Sequence, residues 1–350
     1  AGRGGRSRPL QAGAITGTRT FELREVPEPR PAPGGVVVDV ALCGVCGTDI
    51  AAYAHGSAYN PSICGHEWTG VVSARGDGVR SVSEGDRVVV SVPTPCGACP
   101  ACRSGHAVAC AYVQQVAIGV DELAPAHGGF APRLAVAEGR VLPVPADLDE
   151  VQAAQVEPTA VALHAVGRSG VGLGDRAVVL GAGSIGLLVL QLVRSAGARE
   201  VIVIEPNPDR RARATALGAD LVVDPSEGSE VVAERTGGLG ADVVLECSGR
   251  APAIQEAVEL ARRDGTMCLI GLSHSPATIT PLQWLRREIT VRVSQAFTRV
   301  DSGVAMDMIA DGRVRFEGIH TATVSLADLP ATMADLADGA PQVKVLVDPR

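Results

Sequence analysis

Runs of adjacent apolar residues, broken by glycine and proline more often than by charge, set the character of this chain. Between residues 10 and 150 the runs are short and β-branched. Val36-Val-Val-Asp-Val-Ala-Leu42, Gly70-Val-Val-Ser73 and Asp86-Arg-Val-Val-Val90 read as strands between turns. They predict a compact, mostly β domain carrying loops. From about residue 160 the pattern becomes strand, glycine turn and helix at βαβ spacing. Residues 176–180, 201–204, 221–223, 242–245 and 267–270 are predicted strands, and 184–196 and 210–217 predicted helices. Strands apolar at every position are buried on both faces, as in a parallel doubly wound sheet. After about residue 297 the rhythm stops. The chain ends in a predicted strand, Val343-Lys-Val-Leu-Val347, expected to return to the first domain.

A chain of 350 residues is long enough for two domains, each with its own core. The net charge of −8, with no block of like charge in the body of the chain, argues against a nucleic-acid partner. Arg3, Arg6 and Arg8 form a short basic arm that reads as a frayed terminus. No apolar run reaches bilayer length, since Leu187–Val193 is too short, so no membrane association is expected. With no targeting segment visible, the expected compartment is the cytoplasm. Lys344 is the only lysine, against many arginines, which reads as coding bias with no mechanistic content.

Four cysteines in fifteen residues, Cys96, Cys99, Cys102 and Cys110, carry the first chemistry. Thiolates two residues apart on a tight lobe can converge on one centre, as tetrahedral zinc requires. Pro95, Gly97, Pro100 and Gly105 supply turn residues for such wrapping. Two disulfides are the alternative, but bridges this close in sequence are strained and belong to oxidising compartments. A closed four-thiolate site holds the chain together and performs no reaction.

Gly181-Ala-Gly183-Ser184-Ile185-Gly186 follows a predicted strand and opens a predicted helix. In that context the glycines let backbone approach a pyrophosphate, whose charge the helix N-terminus stabilises. Glu205 ends the next strand, 19 residues beyond Gly186, where it would accept from the ribose hydroxyls. A carboxylate there repels a 2′-phosphate, so NAD is expected over NADP, although Arg210 and Arg211 lie just beyond.

Cys46-Gly-Thr48-Asp49 and Gly65-His66-Glu67 sit on two loops, and Glu157-Pro158 falls at the joint between the proposed domains. Cysteine, histidine and carboxylate from scattered positions are typical of a catalytic zinc with an exchangeable place. These segments, the four-cysteine lobe, Glu157-Pro-Thr-Ala-Val-Ala-Leu-His164 and the glycine turn occur in one order over nearly the whole chain. In that set the chain resembles the zinc-containing medium-chain alcohol and polyol dehydrogenases. The resemblance implies an α/β protein of two domains. A GroES-like, mostly β catalytic domain would take residues 1–157 and 297–350, with a Rossmann dinucleotide-binding domain at 158–296. It implies two zinc ions per chain, one catalytic and one structural, a small-molecule alcohol or ketone substrate, and a homodimer or homotetramer. It further implies Cys46, His66 and Glu67 as catalytic zinc ligands, Glu157 as the exchangeable fourth, and Thr48 as the hydroxyl relaying the substrate proton.

With Glu67 on the metal the ligand charges sum to zero, and Glu157 would make the centre negative. Glu157 is therefore expected to leave when substrate enters. Cys43 is the rival to Cys46, but the Gly-x-Cys-Gly-Thr-Asp frame favours Cys46. Cys64 reads as a small buried hydrophobe, Trp68 and His164 as packing, and His320 as a solvated surface residue. Many relatives place a histidine three residues after the relay hydroxyl, where this chain has Ala51, leaving His55 on the same loop as a candidate. The segments 65–70 and 155–163 resemble dehydrogenases acting on polyols and aminocyclitols. Two rivals stand beside this reading. One is a zinc-free, NADPH-dependent quinone or enoyl reductase of the same superfamily; the other is a non-catalytic nucleotide-binding protein.

Overall fold

Strand β3 (Gly35–Gly44) is the spine of the first of two compact units, and nine of its ten residues are buried. The computed structural model describes residues 9–56 and 59–350, and the basic arm Arg3, Arg6 and Arg8 lies outside the described residues. A hairpin of β1 (Leu10–Gly17) and β2 (Thr20–Val26) precedes β3. Antiparallel to β3 run β4 (Glu67–Arg75) on one side and β6 (Arg133–Ala137), which also pairs with it. The sheet continues from β4 through β5 (Arg87–Val90) to β7 (Val141–Pro143). Val36, Val38 and Val40 meet Trp68, Val88, Phe130 and Leu134 in the core beneath.

The second unit is a six-stranded parallel sheet. Its strands are β8 (Arg176–Leu180), β9 (Glu200–Ile204), β10 (Leu221–Val223), β11 (Ala241–Glu246), β12 (Ala261–Leu269) and β13 (Thr290–Val293). The spatial order 10-9-8-11-12-13 reverses direction beside β8, the switch point at which open α/β sheets bind ligands. Every residue from Gly186 to Val193 of the Ser184–Ser195 helix is buried, which explains its continuous apolar run.

Two final strands, β14 (His320–Ser325) and β15 (Lys344–Asp348), return to the first unit, and β15 pairs antiparallel with β3. The first unit therefore comprises the chain up to Glu157 with Thr298–Ser302 and His320–Arg350. The second comprises Pro158–Phe297 together with Gly303–Ile319. The last segment corrects the expectation that everything after 297 joins the first domain. Met306, Ile309, Val314 and Ile319 are buried. The Gln191 amide also exchanges hydrogen bonds with the backbone of Arg315, at 3.1 and 2.9 Å. Among the described residues, no helix is long and apolar enough to cross a membrane.

Candidate metal centre and dinucleotide site

All nine cysteines are free, so the disulfide alternative for the lobe is not realised. The Sγ atoms of Cys96, Cys99, Cys102 and Cys110 lie within 4.8 Å of one another. A tetrahedral zinc with sulfur ligands at about 2.3 Å separates its sulfurs by about 3.8 Å, so the four thiols fit that ion. Backbone N–H groups stabilise negative charge on them, with Cys96 donating to Cys110 Sγ at 3.3 Å and Cys99 to Cys96 Sγ at 3.4 Å. Amides of Cys102 and Ala111 bring Cys99 down to about 6.

The second candidate centre is assembled by the register of the first unit's sheet. Cys46 caps the helix Gly47–His55: its sulfur accepts from the Thr48 N–H, and Asp49 accepts in return from the Cys46 N–H. An anionic ligand at this position is favoured by the positive end of the helix dipole. His66 lies on the loop before β4, its Nδ1–H donating to the Ile63 carbonyl at 3.0 Å. That bond leaves Nε2 as the nitrogen free to bind a metal. Burial lowers the His66 pKa, but the Cys46 sulfur, Asp49 and Glu157 outweigh it and hold the pKa well above the ordinary value. Burial pushes the partly buried Glu157 up to about 7, opposed by His66 and reinforced by Glu67. Among the described residues no hydrogen bond to the Glu157 carboxylate is present. Cys43 is wholly buried in the core, as is Cys64.

Glu67 is placed differently from its neighbours. Gly44 stands opposite Glu67 across the β3–β4 ladder and opposite Leu346 across the β3–β15 ladder. Lys344, at the start of β15, is thereby brought onto the Glu67 carboxylate. Its Nζ donates to Oε1 and Oε2 at 2.8 and 2.6 Å and to the Val45 carbonyl at 3.1 Å. A Cβ on Gly44 would lie 2.1 Å from Glu67 Oε2, so a side chain there would displace the ion-paired carboxylate. Burial works against the Lys344 charge, yet Glu67, then Cys46 and Glu157, raise its pKa. The lone lysine, set aside on the sequence as coding bias, is a buried ion-pair partner. Its position as the second residue of the last β-branched run, Val343–Val347, was the available signal.

The donors this candidate centre offers are one thiol, one imidazole and the carboxylates of Glu157 and Glu67, the latter ion-paired with Lys344. Their chemistry suits a divalent zinc ion. Among the described residues, only the four-cysteine group has its ligand atoms all within 4.8 Å. Thr48 is partly buried, with its Oγ1 3.6 Å from Cys46 Sγ. Trp68 is 2% exposed, so it packs the core and does not line a pocket. His55 is exposed on the last turn of the Gly47–His55 helix. His320 Nε2 is tied to Ala322 O and Thr323 Oγ1 on β14.

In the second unit the glycine turn opens a crevice of about 190 Å³ lined by Leu180, Gly181, Gly183, Glu205, Arg210 and Ser248, among others. Gly186 packs where a Cβ would stand 1.9 Å from the Gly181 carbonyl, which closes the turn tightly. Gly183 instead borders open space. Ser184 Oγ, at the N-terminus of the helix, is buried without a hydrogen-bond partner among the described residues. An open glycine, an orphan hydroxyl and free helix N–H groups fit a pyrophosphate. The Glu205 carboxylate accepts from the Ala182 and Asn207 N–H groups at 2.7 and 2.9 Å, which sets it at the crevice wall. Arg211 is spent on Glu205 O, Pro206 O and Asp224, leaving Arg210 as the arginine lining the crevice from this helix.

Comparison with known proteins agrees with both units. The alcohol dehydrogenase GroES-like domain family matches residues 32–146, and the zinc-binding dehydrogenase family matches residues 184–311. The chain is 35% identical over 344 residues to 2-dehydro-3-deoxy-L-galactonate 5-dehydrogenase of Pseudoalteromonas atlantica, covering 96% of the chain and 98% of that protein. It is 33% identical over 348 residues to (R,R)-butanediol dehydrogenase of Bacillus subtilis, covering 95% and 97%. Among solved structures, a zinc-binding dehydrogenase from Sinorhizobium meliloti bound to NADP superposes with a TM-score of 0.84 at 32% identity, covering 98% of this chain and 100% of that one.

Lys344→Met should leave the Glu67 carboxylate buried without its cation. The expected cost is about 3–5 kcal/mol, read as a lower urea midpoint at unchanged m-value. A midpoint equal to that of the parent would show that the pair contributes nothing to the fold.

Proposed function

The chain belongs to the zinc-binding dehydrogenases with an alcohol dehydrogenase GroES-like domain, and we propose that it oxidises a secondary alcohol of the polyol or aminocyclitol class with NAD, reducing the matching ketone in reverse. The reading is supported by the Cys46 sulfur and the Glu157 carboxylate both acting on the His66 imidazole, with the Thr48 hydroxyl 3.6 Å from that sulfur. Two relatives are named for dehydrogenating a butanediol and a deoxygalactonate, which supports a small polyhydroxy substrate. The zinc-free reductase reading is not favoured, since it leaves this donor set without a purpose.

Cys46, His66 and Glu157 would hold the ion, with Glu67 kept away from it by Lys344. This reverses the roles expected of the two glutamates. Zinc bound there would supply Lewis acidity at the substrate oxygen, and the dinucleotide would accept the hydride. Thiolate and carboxylate would balance a divalent charge, and the Glu67–Lys344 pair adds none, so the centre would be neutral as a whole. A neutral centre tolerates the negative charge that grows on the substrate oxygen. Thr48 would take the substrate hydroxyl proton as it passes its own on. Ala51 cannot pass that proton on, and solvent-exposed His55 is the titratable group further along the same helix. In the other unit Ser184 and the helix N–H groups would hold the pyrophosphate, and Glu205 supports NAD over NADP.

A screen of secondary alcohols, polyols and aminocyclitols, followed by NADH absorbance, tests the activity. Turnover with polyols and a preference for NAD are expected; activity only with NADPH and an activated alkene would overturn the reading. Metal analysis tests the ligands. The parent should hold two zinc ions per chain, Cys46→Ala and Glu157→Ala one, and Glu67→Gln two. Loss of an ion from Glu67→Gln with retention in Glu157→Ala would return Glu67 to the metal.

The chain is further proposed to assemble as a homodimer or homotetramer. Strand β13 ends its sheet with all four residues exposed, Val291 at 41% and Val293 at 56%. An apolar open edge of this kind is a template for pairing with a second copy. Light scattering should give two or four chain masses, and a single chain mass would refute the assembly.

A further inference from the structure

We propose that Tyr59 is a positioning residue for the catalytic metal, its hydroxyl clamping the two ligand-bearing loops onto one buried carboxylate, Asp49. The proposal rests on the reading of Cys46 and His66 as ligands. Asp49 has no exposed surface, and its two oxygens face different loops. Oδ2 accepts the N–H of Cys46 at 2.9 Å and so fixes the first ligand's backbone. Oδ1 accepts the Tyr59 hydroxyl at 2.5 Å and the Gly65 N–H at 3.3 Å, one residue before the second ligand. The Tyr59 oxygen also lies 3.5 Å from His66 Nδ1 and 3.4 Å from the Ile63 carbonyl. Nδ1–H thus faces two oxygens, Ile63 O and the Tyr59 hydroxyl, which together set the ring's orientation and leave Nε2 to the metal.

The segment that carries Tyr59 is itself anchored away from the metal. Asn60 Nδ2 donates to the carbonyls of Ile118 and Gly119 at 2.9 and 2.6 Å, and Ser62 Oγ donates to Pro125 O at 2.5 Å. Residues 118–125 follow the helix Ala111–Ala117 that leaves the four-cysteine lobe. Without the phenol, Asp49 Oδ1 would hold the second loop only through the 3.3 Å contact with the Gly65 N–H. The phenol, stiff and held at its base by Asn60, removes that freedom. Its proton is committed to Asp49, so the hydroxyl has no part in the substrate's proton transfer.

Tyr59→Phe in the full chain tests the clamp, read by cobalt substitution and chelator competition. The expected result is a 10–100-fold weaker affinity at the catalytic centre. The ligand-field absorption of the bound cobalt should change, while the cobalt–thiolate signal of the four-cysteine lobe should not. Asn60→Ala keeps every group near the metal but cuts the tether, and should weaken binding several-fold. Affinities within twofold of the parent and unchanged spectra in both variants would overturn the proposal, as would a lowered Tm with unchanged affinity. Cys46→Ala serves as the reference: if it keeps its second cobalt ion, the ligand assignment fails; if it loses the ion while Tyr59→Phe does not, only the clamp fails.

Discussion

The ion pair between Lys344 and Glu67 is the constraint on which the geometry around Cys46 and His66 depends. Both side chains are almost completely buried, at 3% and 2% exposure. Removing two charges from water costs several kcal/mol each, and attraction repays this only when every donor is satisfied. That condition holds here, because the ammonium's three protons meet both Glu67 oxygens and the Val45 carbonyl. The pair also demands one register. Sliding β15 by one residue along β3 would turn Lys344 to the other face of the sheet. The end of the chain thus fixes the start of β4, and through it the loop that carries His66.

Much of the architecture was legible in the order of apolar runs. The doubly wound sheet announces itself because β8, β9 and β11 are buried on both faces and so are apolar at nearly every position. The first unit was harder to read, since β2 alternates polar and apolar residues on a half-exposed face, and β6 and β7 are three to five residues long. The tail was harder still. Residues 299–310 form a helix with charge on both ends and little periodicity, and 303–319 belong to the second unit through packing that no local pattern encodes.

Ligand types were readable from motifs, but their division of labour was not. Glu67 directly follows His66 and looks like its partner in coordination. In the structure its carboxylate is ion-paired with Lys344, 277 residues away, and a contact of that separation leaves no local signature. Tyr59 was passed over for a related reason. A single tyrosine in a loop has no period and no spacing, and its meaning comes only from Asp49 being buried within its reach. Cys43 and Cys46 differ by three residues, yet one falls inside a strand buried on both faces and the other at a helix start, a placement that supports Cys46 as the ligand.

Three acids close together thus have three different states imposed by surroundings alone. Asp49 is tied by backbone amides and a phenol, Glu67 by an ammonium, and Glu157 by nothing of comparable strength. On the proposed reading a divalent cation would take Glu157, beside a thiol at a helix N-terminus and an imidazole with its proton already placed. The second unit applies the same physics to a different anion. There the N-terminus of the Ser184–Ser195 helix faces open space above Gly183, with an unpartnered hydroxyl at its mouth. In both units uncompensated backbone N–H groups create the demand for negative charge, and the side chains decide whether sulfur or phosphate oxygen answers it.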